Sequence, residues 1–174
     1  MKQLDKMRKA MEEKFHNINW SGGHVCGSGS HFENTAKTRE LLERHVEKYN
    51  IKTVSDAGAG DLSWISKFDW DVEYTPYDIR KWHPDVIKFD ITKDVLPKTD
   101  LIVCRHVLHH IAPELRAEAI SRFKESGSTY LFLTSGSKKI GLGEPLEKDF
   151  EVLDYHNFRG TGKTAKYGLW QINP

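Results

Sequence analysis

A glycine-rich bend is the part of this sequence best suited to hold a small polar ligand. The residues from Val54 to Asp61 read Val-Ser-Asp-Ala-Gly-Ala-Gly-Asp, which is a strand ending followed by two glycines. Glycine permits positive φ and lets backbone N–H groups approach a ligand, because it has no Cβ. Ser63 stands where a GxGxxG dinucleotide fingerprint would have its third glycine, so a dinucleotide is disfavoured.

Three aspartates follow successive apolar runs of the chain. Asp78 comes about twenty positions after Asp56, where a ribose-binding carboxylate is expected, and Asp90 ends the next run. A carboxylate accepts two hydroxyl hydrogen bonds from a ribose diol. Any one of these acids is as well explained by a cap on a strand end or a helix start. The three together with the glycine bend favour a ligand site along the carboxyl edge of a sheet.

Three histidines lie after the fourth apolar run, at His106, His109 and His110. Imidazole is suited to general acid–base chemistry near neutral pH. For each histidine alone, packing beneath the sheet or capping the next helix is the favoured interpretation. If one of them acts as a catalytic base, we predict His109 first and His106 second. Adjacent histidines rarely point the same way and no further ligands occur at metal-site spacing, so no metal is predicted.

The elements that must position these residues alternate between short apolar runs and helical or loop segments, which is typical of a parallel sheet with crossovers. The sequence predicts two helices in this region, Leu62–Phe68 and Pro113–Glu125, and a closing antiparallel hairpin. The predicted strands are Thr53–Ala57, Val72–Tyr77, Val86–Phe89, Leu101–Cys104, Tyr130–Thr134, Phe150–Tyr155 and Tyr167–Ile172. The predicted fold class is therefore α/β, with three layers and a mostly parallel sheet.

The first fifty residues are predicted to form two helices joined by a loop. An apolar stripe on the first helix is expected to pack on the domain, with a dimer contact or a lid as less favoured roles; it comprises Leu4, Met7, Met11, Phe15 and Ile18. The glycines of the next loop suggest a lid at Ser21–Ser30, anchored by Trp20. Ser30 and Glu33 match a capping box for a helix through Tyr49.

Composition bounds the class of protein. The 174 residues suit one domain, 1–174, in which 1–50 carries the helices and lid loop and 51–174 the ligand-binding core. A net charge of +1 gives no overall bias toward nucleic acid or a membrane surface. The two cysteines, Cys26 and Cys104, form no CxxC pair, and no apolar segment approaches the ~20 residues of a membrane span. A cytoplasmic protein, monomeric or homodimeric, is expected.

From Ile51 onward the chain resembles the class I, Rossmann-like methyltransferases that use S-adenosylmethionine. Val54–Gly60 resembles their first motif, Asp78 matches the ribose-binding acid, and Asp90-Ile91 matches the pair that contacts adenine. With the N-terminal loop included, the chain resembles a compact bacterial or phage subgroup. The cofactor-binding residues that the resemblance implies are Asp56, Gly58, Gly60, Asp61, Asp78, Ile79, Asp90, Ile91 and Arg105.

The resemblance implies S-adenosyl-L-methionine as cofactor, S-adenosyl-L-homocysteine as product, and methylation of an oxygen or nitrogen of a small molecule or glycan. Cys104-Arg105-His106-Val107 replaces the Asn/Asp-Pro-Pro-aromatic motif of enzymes that methylate amino groups of bases, so DNA base methylation is disfavoured. One alternative is an enzyme acting on RNA or protein through basic residues, namely Lys138, Lys139, Arg159 and Lys163. Another is a non-catalytic cofactor-binding subunit with an apolar patch on its first helix. The phosphate-loop-like Gly160–Thr164 is interpreted as a turn.

Overall fold

The computed structural model describes residues 2–18, 26–134, 141–153 and 163–174. Short turns of 3-10 helix lie at Ser28–Ser30, Glu33–Thr35, Ile65–Lys67 and Leu108–His110. The helices and strands are α1 (Lys2–Asn17), α2 (Ala36–Lys48), β1 (Thr53–Ala57), β2 (Glu73–Asp78), β3 (Ile87–Lys88), β4 (Leu101–Cys104), α3 (Pro113–Glu125), β5 (Tyr130–Thr134), β6 (Glu147–Leu153) and β7 (Lys163–Gln171).

The strands form one seven-stranded sheet in the order β3-β2-β1-β4-β5-β7-β6. Strands β1 to β5 are parallel, whereas β7 runs antiparallel to both of its neighbours, β5 and β6. The strand order reverses between β1 and β4, and open α/β sheets bind ligands at the carboxyl ends of the strands on either side of such a reversal. The predicted fold class, including the antiparallel hairpin, is confirmed.

Two apolar cores lie on opposite faces of the sheet. Along β4 the side chains alternate, so that Ile102 and Cys104 pack with α1 and α3 while Val103 packs with α2. This alternation follows from the period of two in a strand, with both faces covered as parallel sheets require. The apolar stripe of α1 also packs here: Met11 is buried, and Met7 and Phe15 lie against the same cluster. The packing interpretation of the stripe is thus confirmed.

The helix predicted at Leu62–Phe68 is wrong. Only a 3-10 turn forms, at Ile65–Lys67, because Leu62 adopts a left-handed φ of 60°. The capping box predicted for Ser30 and Glu33 is also wrong. The helix begins at Ala36, after a separate 3-10 turn, and the structure shows no side-chain cap at its start.

Strands β1, β4 and β5 and helix α3 have the predicted bounds. Strand β6 begins at Glu147, three residues earlier than the predicted Phe150, because the backbone there already pairs with Leu169 of β7. The Glu147 carboxylate also contacts the end of α2. It accepts hydrogen bonds from Tyr49 Oη and Lys48 Nζ, each at 2.6 Å, and lies 3.1 Å from His45 Nε2. Within the described ranges, no helix is long and apolar enough to cross a membrane.

Candidate functional site

The glycine bend lies at the carboxyl end of β1. The N–H groups of Gly58 and Ala59 both donate to the Tyr77 carbonyl of β2, at 2.8 and 3.0 Å, which turns the chain sharply. Gly58 has a φ of 104° and Gly60 a φ of 64°. A Cβ on Gly58 would lie 2.1 Å from Val107 Cγ2, so no side chain fits at that position. The bend therefore requires glycine for both its conformation and its close packing.

Asp78 connects the end of β2 to this bend. Its Oδ2 accepts a hydrogen bond from the Gly60 N–H at 3.0 Å, and its Oδ1 accepts one from the Arg80 N–H at 3.1 Å. Burial raises the pKa of the carboxyl group, while these backbone donors counteract that effect. Hydrogen bonds from the Trp82 side chain and the Ile79 N–H also act to lower this pKa, so the carboxylate is held by several donors at the end of β2. Of the predicted residues, Asp78 and the two glycines are therefore brought together.

Asp56 lies beneath the bend rather than at its surface. Its side chain is only 3% exposed, and its Oδ2 accepts a hydrogen bond from Tyr74 Oη at 2.6 Å. Burial raises the pKa of Asp56 to about 7, although the Tyr74 bond acts to lower it. Sequence reasoning missed Tyr74. Asp56 pairs with Pro76, so strand alternation places Tyr74 diagonally opposite Asp56, in a register that the sequence alone does not fix.

Arg105 faces the interior on the α2 side of the sheet. It is buried, its Nε donates to Thr38 Oγ1 at 3.1 Å, and its guanidinium lies 5.7 Å from the Trp64 ring centre. Its charge acts to lower the pKa of Asp56, against the larger effect of burial. The structure thus places Arg105 in the network that surrounds Asp56.

The remaining predicted acids form turns. Asp90 Oδ1 accepts hydrogen bonds from the Thr92 N–H at 2.9 Å and from Thr92 Oγ1 at 2.7 Å. Asp61 Oδ1 similarly accepts from the Ser63 N–H at 3.1 Å. Both contacts shape the backbone after a strand end, and Asp61 also accepts a hydrogen bond from the Cys26 thiol. Ile91 is buried in the core between the sheet, α1 and α3, and Ile79 packs against that core.

His106 is the most enclosed of the three histidines. It has a φ of 54°, its N–H donates to Thr134 Oγ1 at 3.1 Å, and its ring meets His109 edge-on at 5.6 Å and Tyr167 edge-on at 6.4 Å. Its Nε2 is buried and has no hydrogen-bond partner among the described residues. Burial lowers the pKa of His106 to about 2, so the ring is a neutral hydrogen-bonding group.

His109 is exposed, and its ring centre lies 3.9 Å from that of His110. The pKa of His109 is lowered by partial burial and then by the positive charges of Arg116 and Lys14. His109 is therefore neutral at pH 7 and open to solvent. Within the described segments, no group of three or more metal-ligating side chains occurs.

Cys26 covers the glycine bend, which the sequence did not reveal. A Cβ on Gly60 would lie 2.8 Å from Cys26 Sγ. Burial raises the pKa of the Cys26 thiol to about 12, and the Asp61 carboxylate adds to the effect. The carbonyl of Ser30 accepts a hydrogen bond from Ser63 Oγ at 2.7 Å, which holds the same segment in place. Residues 21–25 of the predicted lid lie outside the described residues. The same is true of Lys138, Lys139, Arg159 and residues 160–162.

Solved structures with a similar fold include three methyltransferases. The N-methyltransferase NodS from Bradyrhizobium japonicum, in complex with S-adenosyl-L-homocysteine, has a TM-score of 0.63 at 14% identity, over 95% of this chain and 97% of that one. The 1,6-didemethyltoxoflavin-N1-methyltransferase from Burkholderia thailandensis, with its substrate and S-adenosylhomocysteine bound, has a TM-score of 0.65 at 12% identity, over 99% and 90%. Magnesium protoporphyrin IX methyltransferase from Synechocystis, with S-adenosylmethionine bound, has a TM-score of 0.58 at 18% identity, over 78% of each chain.

No protein-family model matches the sequence, and no curated protein matches it. At such low identities the three likenesses establish the fold. The chain has the Rossmann-like fold of class I methyltransferases, with the glycine bend and Asp78 at its carboxyl edge.

Proposed function

We propose that this chain is a methyltransferase that binds S-adenosyl-L-methionine at the carboxyl ends of β1 and β2 and methylates an oxygen or nitrogen of a small molecule or glycan. The observation that carries the proposal is the contact between the Asp78 carboxylate and the Gly60 N–H at 3.0 Å. It fixes an acid beside a bend of two glycines, the arrangement expected where a ribose lies next to a methionine chain.

The residues at this edge fit that cofactor. Asp78 would accept a hydrogen bond from a ribose hydroxyl in place of the one from the Trp82 side chain. The bend of Gly58 and Gly60, which lies against Val107 and Cys26, would hold the methionine part. Asp90-Ile91 follows the next strand, on the adenine side. Asp56 lies beneath the bend, where its carboxylate accepts a hydrogen bond from Tyr74. When bound, the cofactor supplies an electrophilic methyl group on a sulfonium.

The protein's own residues position the methyl acceptor and remove one proton from it. An acceptor hydroxyl or protonated nitrogen gains a methyl group and must lose its proton. His109, neutral at pH 7 and exposed, takes that proton on a ring nitrogen. His106, the second candidate, packs edge-on against the His109 ring at 5.6 Å and positions it. Positioning of this kind supplies much of the acceleration in a direct displacement.

The acceptor is a small molecule or glycan rather than a nucleic-acid base. Val107 packs on Gly58 in the place where base-modifying enzymes carry their Pro-Pro-aromatic motif. The non-catalytic alternative requires an apolar patch on α1, whereas the apolar stripe of α1 packs on the core. The alternative of an RNA or protein acceptor depends mostly on basic residues outside the described ranges.

Calorimetry with S-adenosyl-L-methionine and S-adenosyl-L-homocysteine tests the cofactor assignment. We expect Asp78→Asn to weaken binding about tenfold or more, since a charged hydrogen-bond acceptor is lost. The matched control is Asp71→Asn, an exposed acid just before β2, which we expect to bind like the parent. Absence of binding heat for the parent with both ligands would refute the proposal. A radiolabelled methyl-transfer screen over fractionated small molecules, RNA and protein then tests the acceptor.

A further inference from the structure

Cationic side chains from two helices surround the histidines that follow β4. Lys14 of α1 donates from Nζ to the His110 carbonyl at 2.9 Å, and Arg116 of α3 donates from Nε to the Ile111 carbonyl at 2.9 Å. Among the described residues neither makes an ion pair with a carboxylate. Lys14 and Arg116 are called the cationic rim below.

The acids closest in sequence to the rim have partners elsewhere or project into solvent. Glu118 lies 3.6 Å from both Arg8 and Arg122, and Glu13 lies 4.0 Å from Lys9. Glu114, in the first turn of α3, is exposed. The charges that act on His109 are consequently those of Arg116 and Lys14, and no described carboxylate offsets them. The rim is a local excess of positive charge on a chain whose net charge is only +1.

The position of the rim connects it to the proposed transfer site. His109 lies between the rim and His106, with ring centres 5.6 Å apart. Val107, between them in sequence, packs against Gly58 of the bend. A molecule held at the rim by one end would therefore extend past His106 toward the glycine bend.

We propose that the cationic rim binds a carboxylate or phosphate group of the methyl acceptor, with Lys14 and Arg116 as its ligands and His109 beside them. The role as acceptor site rests on the proposed function, whereas anion binding itself does not. Arg116 offers planar guanidinium donors and Lys14 a point charge, which are the donor types that recognise such anions. An uncharged acceptor would leave this positive charge without a counter-group.

The test uses inorganic phosphate and acetate as probes of the full chain at constant ionic strength. We expect both anions to shift the NMR signals of His109 saturably. Lys14→Gln and Arg116→Gln are each expected to weaken phosphate binding about threefold to fivefold, as for a solvent-exposed charge contact. Lys9→Gln, which removes an exposed lysine from the same helix, is the matched control and is expected to have no effect. Tighter binding of acetate than of phosphate would assign a carboxylate, and the reverse a phosphate.

The proposal is overturned if neither anion shifts the His109 signals saturably, or if Lys14→Gln and Lys9→Gln bind phosphate equally. The methyl-transfer screen gives a second readout when the extract is first separated on an anion-exchange resin. We expect labelled product from the retained, anionic fraction, and label confined to the unretained fraction would contradict the proposal. Failure of the proposed function is seen separately, as absence of calorimetric binding of the methyl donor while the His109 signals still respond to phosphate.

Discussion

Replacing Tyr74 with phenylalanine removes the hydroxyl that donates to Asp56 Oδ2 at 2.6 Å beneath the glycine bend. The Asp56 carboxylate is almost fully buried, so no water replaces the lost hydroxyl. A hydrogen bond to a charged group contributes ~1.5–3 kcal/mol, and one to a neutral group ~0.5–1.5 kcal/mol. The cost of Tyr74→Phe therefore depends on whether Asp56 is ionised.

The ionisation of Asp56 sets the direction of the pH effect. Burial raises its pKa to about 7 from the usual 3.8, so between these values the folded protein holds a proton that the unfolded chain has lost. Folding stability consequently falls as the pH rises from about 4 to 7, by ~4 kcal/mol if the whole shift applies. Without Tyr74 the pKa rises further, since the bond favours the carboxylate. We expect Tyr74→Phe to cost ~1.5–3 kcal/mol at pH 8 and clearly less at pH 5.

Urea denaturation of the parent and the variant at pH 5 and pH 8 measures both costs. Tyr77→Phe is the matched control: Tyr77 lies on the same strand and is buried, but its hydroxyl has no hydrogen-bond partner among the described residues. Its substitution is expected to cost little, and equally at the two pH values. An equal cost of Tyr74→Phe at pH 5 and pH 8 would refute the assignment of a raised Asp56 pKa. A cost no larger than that of Tyr77→Phe would refute the bond itself.

Three further predictions concern the surroundings of the bend and the hairpin. Gly58→Ala is expected to lower the free energy of unfolding by about 3 kcal/mol or more, because the new Cβ would lie 2.1 Å from a methyl carbon of Val107. The control Gly141→Ala, which has open space around it, is expected to cost about 1 kcal/mol. Thermal melts of the two variants measure this difference. Burial raises the pKa of the Cys26 thiol to about 12, so we expect it to react with iodoacetamide on the order of a hundredfold more slowly than a free thiol at pH 8. Mass spectrometry follows the reaction, and a rate equal to that of a free thiol would contradict the burial of Cys26. Burial acts to raise the pKa of Glu147, but hydrogen bonds from Lys48, Tyr49 and His45 lower it to about 2. Glu147→Gln is therefore expected to lower the free energy of unfolding by about 2 kcal/mol at pH 7. The loss is expected to shrink as the pH falls from about 4.5 toward 2, where the parent carboxylate is protonated as well. Equal denaturation midpoints for Glu147→Gln and the exposed control Glu144→Gln would contradict that role.

Much of the sheet could be predicted because its strands are short apolar runs bounded by turn-forming residues. The bounds of β4 and β5 follow from the sequence because each is buried on both faces and is an almost continuous apolar stretch. β1 contains Ser55 and Asp56, and its end is instead marked by the glycine bend that follows it. The region after the bend was predicted less well. Leu62 takes a left-handed conformation, which nothing in its side chain favours, and Trp64, Phe68 and Trp70 then pack as a series of rings. Such tertiary packing overrides helical periodicity, and the sequence carries no local signal of it.

The site was predictable only where a residue acts through its own backbone or strand position. The glycines and Asp78 satisfy that condition, because a bend and a strand end are local features. Tyr74 and Cys26 do not, since each reaches the bend from a distant part of the chain. Pairing of β1 with β2 brings Tyr74 to Asp56, and this register is fixed by the whole sheet rather than by either strand alone.

The cationic rim shows why charge counted along the sequence and charge at a site differ. Lys14 and Arg116 lie about a hundred residues apart, and each sits among acids in its own helix, so the local sequence of both helices is balanced. Folding separates these charges by face: Glu13 and Glu118 pair with other basic residues, while Lys14 and Arg116 turn to carbonyl groups next to the histidines. Because a carbonyl neutralises only part of a full charge, the balance is broken at this one edge of the sheet. An anionic acceptor would restore that balance. Binding of phosphate beside His109 therefore probes the charge of the acceptor directly.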